Sequence, residues 1–92
     1  MINKEYLINE LEKFIAEYDL QKSIPDTHEW YLFNNTKKYM NTLKAANTSS
    51  DVKYAATQYG IFCTESMDWN TDIYKKCAAL SEMGYKLART NK

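Results

Sequence analysis

Cys63 and Cys77 are the residues of this chain with the most distinctive chemistry: a thiol pair can form a disulfide, switch with redox state or bind a metal. If the flanking segments are helices that fold back at Asn70, the two cysteines stand level. Val52 then faces Ala88, Ala56 faces Gly84, Tyr59 faces Ser81 and Met67 faces Ile73, all with position numbers summing to 140. A disulfide needs Cα atoms within about 7 Å, whereas packed helix axes lie roughly 8–10 Å apart. Two buried free thiols acting as small hydrophobes are the expectation. Zinc would need further donors at a familiar spacing. His28 is the only histidine, so no metal site is expected.

Catalytic groups are equally sparse. His28 at a helix start reads as a solvated group, with no nucleophile or oxyanion site specified by spacing. Glu10 and Glu12 do not share a helix face, so they do not form a catalytic carboxylate pair. The only two glycines, Gly60 and Gly84, are isolated inside helical patterns, which leaves no phosphate loop. The expectation is a protein without enzymatic activity, catalytic residues or cofactors.

The aromatic residues are the stronger lead. Eight tyrosines and two tryptophans exceed what a core this small needs. Trp30 begins the second helix and Trp69 ends the third, which puts them at one end of the bundle with Tyr31 and Tyr74. Two readings compete: an aromatic lid over the core, or a recognition surface, since Trp and Tyr combine large area with few rotors. The candidate partner-binding residues are Trp30, Tyr31, Trp69, Tyr74, Lys75 and Lys76. A nucleic-acid surface would use Lys75, Lys76, Lys86 and Arg89 with Tyr74 and Tyr85 between them. No recognition-helix motif accompanies these residues, and the acidic half would repel the phosphate backbone. Nucleic acid is therefore not the expected partner.

These side chains must be positioned by helices. Ninety-two residues with two Gly and one Pro point to one helical domain spanning 1–92. Leu7, Leu11, Phe14, Ile15 and Tyr18 make one apolar stripe, predicting a helix over about 4–19 with Asn3 as cap. Pro25 interrupts the chain. A second helix over about 26–46, capped by Asp26 or Thr27, turns Leu32, Phe33, Thr36, Tyr39, Met40, Leu43 and Ala46 inward. Leu7 stands level with Leu43, Leu11 with Tyr39, Phe14 with Thr36 and Tyr18 with Leu32, in pairs summing to 50. The polar run at 47–51 is a loop and cap. It leads to helices over about 50–68 and 71–89, the last capped by Asn70 or Thr71. Short connections imply antiparallel neighbours, so the fold class is a small all-α antiparallel four-helix bundle. The alternative is a three-helix core with helix 1 loosely docked.

The net charge is zero, but residues 1–30 hold seven acids against three lysines, a net of −4, which leaves +4 for residues 31–92. Acidic helix 1 can pair with basic neighbours, or the two signs can serve a partner or head-to-tail self-association. No apolar run approaches the roughly 18 residues of a membrane span. The N-terminus has no basic and apolar leader pattern, so a cytoplasmic location without membrane contact is expected.

Composition rich in Lys, Asn, Tyr and Ile, without catalytic motifs, is common among phage and mobile-element accessory proteins. The expected function is a protein–protein interaction module that inhibits or adapts a host protein, with a homo-oligomer possible. The alternatives are a helical oligomer binding a small anionic ligand such as a nucleotide, and a weak nucleic-acid binder.

Overall fold

The computed structural model describes residues 3–66 and 71–90. Four helices, α1 (Lys4–Glu17), α2 (His28–Ala45), α3 (Ser49–Ser66) and α4 (Asp72–Thr90), account for most of them. α1 packs on α2 and α4, α3 packs on the same two, and among the described residues the backbones of the diagonal pairs stay apart. This is an antiparallel four-helix bundle. α1 is a full member of it rather than a loosely docked arm, with Leu7 and Leu11 completely buried.

The helix ends follow from caps and left-handed residues. Asn3 Oδ1 accepts from the Tyr6 amide at 2.7 Å and starts α1. α1 stops at Glu17, short of the expected 19, because Asp19 is left-handed (φ 50). Asp is among the few residues with a Cβ that visit this region, since its short side chain can bond locally. Asp26 is also left-handed (φ 70) and therefore does not cap α2. Thr27 caps instead, its Oγ1 accepting from the Trp30 amide at 3.3 Å, and α2 starts at His28 rather than 26. Thr48 accepts from the Asp51 amide at 3.1 Å, and Thr71 accepts from the Tyr74 amide at 3.3 Å. Met67, Trp69 and Asn70 lie outside the described residues, so the pairing of Met67 with Ile73 and a cap at Asn70 do as well.

Residues 18–27 are more structured than a break. A 3₁₀ turn, Leu20–Lys22, inserts Leu20 fully into the core between α1 and α2. The two helices keep the expected register. Lys4 at the start of α1 donates through Nζ to the carbonyl of Ala46, the C-cap of α2, at 3.0 Å.

α3 and α4 approach most closely at small residues. A Cβ built on Gly84 would lie 2.6 Å from the Ala56 Cβ and would also strike the Tyr39 hydroxyl. Glycine is required there because two helices and a phenol meet at one point. The Tyr59 ring stacks on Tyr39, with centroids 4.7 Å apart. Ser81 donates to the Ala56 carbonyl at 2.9 Å and sits beside Gly60.

Buried hydroxyls are satisfied in a central polar layer. Thr36 and Tyr59 share a hydrogen bond of 2.9 Å, and Tyr59 donates to Cys77 Sγ at 3.7 Å. Tyr39 crosses the bundle diagonal and donates to the Leu80 carbonyl at 2.9 Å. Among the described residues no buried side-chain nitrogen or oxygen lacks a partner, as native interiors require.

Candidate functional site

The antiparallel topology brings the C-terminal ends of α1 and α3 and the N-terminal ends of α2 and α4 to one end of the bundle. Trp30, Tyr31, Tyr74, Lys75 and Lys76 therefore share that end. They do not form one cluster. α2 and α4 are diagonal, so Trp30 and Tyr31 occupy one corner while Tyr74, Lys75 and Lys76 occupy the opposite corner. Trp69 lies outside the described residues.

The α2 corner is built by the 18–27 connection. Ser23 Oγ donates to the Leu20 carbonyl at 2.5 Å, and Thr27 Oγ1 donates to the Ile24 carbonyl at 2.6 Å. These short bonds hold Ile24 and Pro25 at the tip of a tight loop. Ile24 is 72% exposed, more than any other large hydrophobic residue described. Next to it the left-handed Asp26 aims its carboxylate at Tyr31, whose hydroxyl donates to Oδ1 at 3.1 Å. That bond, with the carboxylate's charge, pushes the Tyr31 phenol above its ordinary pKa. Trp30 is half-buried and meets Tyr31 edge to face, with centroids 5.0 Å apart. A hydrogen-bonded tyrosine, the tryptophan packed edge-on against it and an exposed isoleucine thus share one corner.

The α4 corner is different. Lys75 is exposed. Lys76 is paired with Glu17 at 3.3 Å, which joins the end of α1 to the start of α4. Both partners are about half exposed, so the pair contributes at most about 1 kcal/mol. Tyr74 is half-buried and lines an open groove of about 400 Å³ between α3 and α4. Gly60 and Ala78 leave room in that groove. Ile61 forms part of its wall, and the Thr57 and Tyr85 hydroxyls meet across it at 2.9 Å.

Of the two thiols, Cys63 lies at the floor of the α3–α4 groove. Cys63 and Cys77 are buried free thiols. The hydrogen bond to Cys77, and then burial, push the Cys63 thiol well above its ordinary pKa. A protonated, buried thiol is a poor nucleophile. Among the described residues no group of three or more His, Cys, Asp or Glu side chains converges as metal ligands. No helix of the described residues is long and apolar enough to cross a membrane.

Sequence reasoning missed Ile24 and Asp26. Ile24 carries a signal in the sequence, an apolar residue outside any helical stripe and next to the only proline. The Asp26–Tyr31 bond had none, since it depends on the left-handed turn at Asp26. No family model, curated protein or solved structure matches the chain.

Proposed function

We propose that this protein is a non-enzymatic interaction module that docks a protein partner on the corner formed by Ile24, Trp30 and Tyr31, and so inhibits or adapts that partner. The observation that carries this reading is the exposure of Ile24 on a hydrogen-bonded loop beside Tyr31, itself 45% exposed. An exposed aliphatic side chain held next to Trp and Tyr has the composition of an interface hot spot. The loop is already fastened to the bundle, so little ordering would be lost on binding. The Lys76–Glu17 pair weighs against a small-anion or nucleotide site at the opposite corner, because one of its two lysines is already neutralised.

The test is capture of partners from the native host by the wild-type chain and by Ile24→Ser and Trp30→Ala, followed by titration of the partner recovered. Loss of that partner by both variants, with helical content unchanged, supports the reading. Equal binding by all three proteins overturns it.

A further inference from the structure

The outer face of α1 and α2 carries two charged rows that match each other, and Trp30, two turns before Lys37, continues the lysine row toward the Ile24 corner. Glu5 and Glu12 are seven residues apart, two turns along α1, and Lys37 and Lys44 have the same spacing on α2. All four are exposed. Their direction follows from their neighbours. Glu10 and Phe14 line the groove toward α4, and Glu12 is two residues from each, about 160° round the helix. Asn35, Tyr39 and Thr42 line the groove toward α3; Lys37 is two residues from the first two and Lys44 two from the third. Both rows therefore point away from the α3–α4 layer, the acids on one helix and the lysines on the other. Between them runs a seam with the half-buried Ile8 and Phe33. Among the described residues Glu5, Glu12 and Lys44 have no ion-pair partner, and Lys37 lies over the Phe33 ring, 5.2 Å from its centroid.

We infer that this face docks a second copy of the chain about a two-fold axis parallel to the helices. Such an axis keeps each residue at its own height and lays α1 of one copy on α2 of the other. The Lys4–Ala46 bond fixes the heights, with residue 5 level with 44–45 and residue 12 level with 37–38. Glu5 then meets Lys44 of the second copy and Glu12 meets its Lys37, each pair occurring twice because the interface is isologous. The two apolar seams meet between the charged rows, which gives an apolar centre with a charged rim. The bundle measures 39 × 22 × 20 Å, so its long side is of the size that a standard interface buries per partner, roughly 800 Å². The two-fold also points both Ile24 corners in one direction, with Trp30 of each copy bordering the interface.

Sedimentation equilibrium on the full chain tests this. Wild type is expected to have the mass of a dimer at low salt and to dissociate more readily at about 0.5 M salt, where exposed charges are screened. Glu5→Lys/Glu12→Lys makes the face all-positive, and Lys37→Glu/Lys44→Glu makes it all-negative. Each variant alone should associate at least roughly tenfold more weakly. A one-to-one mixture should recover the dimer, because each copy then supplies the charge the other lacks. Circular dichroism confirms that both variants remain helical. A monomeric wild type, a dimer indifferent to both reversals, or a mixture that stays monomeric would overturn the inference.

Discussion

The ammonium of Lys4 donates to the carbonyl of Ala46, so the first residue of α1 closes the last turn of α2. The final carbonyls of a helix have no intrahelical donor, and here a charged side chain 42 positions away supplies one. Lys4→Met keeps much of the aliphatic stem and removes the donor. It should lower stability in urea unfolding by about 1 kcal/mol, the scale of one partly buried hydrogen bond. An unchanged midpoint would mean that water serves the carbonyl equally well.

Gly84 and Gly60 should respond differently to alanine. At Gly84 the new Cβ meets the Ala56 Cβ on a neighbouring helix and the Tyr39 hydroxyl inside the core, neither of which can move aside cheaply. Overpacking of this kind costs about 1–3 kcal/mol, more than the roughly 1 kcal/mol of helix propensity gained. At Gly60 the close neighbour is Ser81 Oγ at 2.7 Å, the end of a side chain that can rotate. Rotation gives up the Ser81 bond to the Ala56 carbonyl, about 1 kcal/mol, and alanine's helix propensity returns a similar amount, so Gly60→Ala should stay within about 1 kcal/mol of wild type. Thermal unfolding of the two variants compares them directly.

The registers of both hairpins were legible because they follow from which apolar residues recur on each helix. Lys4–Ala46 continues the series of Leu7 with Leu43 and Leu11 with Tyr39, and the close approach of Ala56 and Gly84 is one of the expected pairs. Contacts that depend on side-chain reach were not legible. Tyr39 bonds to Leu80 across the diagonal, and Tyr59 reaches Thr36 on α2, because a phenol extends well beyond the levels that backbone spacing describes. Leu20 belongs to no helical period and is buried by a 3₁₀ turn. Asp26 looked like a helix cap, but its left-handed backbone gave that role to Thr27. Of the candidate site, the shared end followed from topology. Its division between two corners followed only from the ring order of the helices.

Thr36 and Tyr59 should show coupling in a double-mutant cycle. Tyr59→Phe leaves the fully buried Thr36 hydroxyl without its side-chain partner, and Thr36→Val leaves Tyr59 with a thiol as its main partner. Each single change should cost about 1–3 kcal/mol, the penalty for a buried unsatisfied group. The double variant removes both groups in nearly isosteric fashion and should cost less than the sum of the two. Additive losses would show that the 2.9 Å bond carries no coupling.

Alkaline pH should unfold the protein through the same layer. Burial pushes the Tyr39 and Tyr59 phenols above the ordinary value of 10.0. A raised folded-state pKa means that the folded form holds its proton more tightly than the unfolded chain does. The associated stability is complete below about pH 10 and falls as pH rises above it. With both phenols still protonated in the folded state, the slope approaches about 2.7 kcal/mol per pH unit. The raised Cys63 thiol adds its own slope from about pH 9, so Tyr39→Phe should remove about 1.4 kcal/mol per pH unit from the total in denaturant titrations between about pH 10 and 11. A stability that is flat through this range would mean that the buried phenols open to solvent without unfolding.

The two corners of the candidate end should separate by kinetics when the partner is titrated. Trp30 is half-buried and meets Tyr31 edge to face, so Trp30→Ala removes area that would lie at the centre of a contact. It should weaken the complex by more than about 2 kcal/mol, mainly through faster dissociation. Lys75→Glu with Lys76→Glu changes charge at the opposite corner and breaks the surface pair with Glu17. That double change should slow association and alter its salt dependence while leaving dissociation nearly unchanged, since rim charges steer encounter more than they hold a complex. Stopped-flow or surface-binding kinetics resolve the two rates. Helical signal and melting temperature must match wild type before Trp30→Ala is interpreted, because a tryptophan that only closes the core would also abolish binding by unfolding. If the lysine variant abolished binding and the tryptophan variant did not, the contact would lie at the start of α4 and its chemistry would be recognition of negative charge.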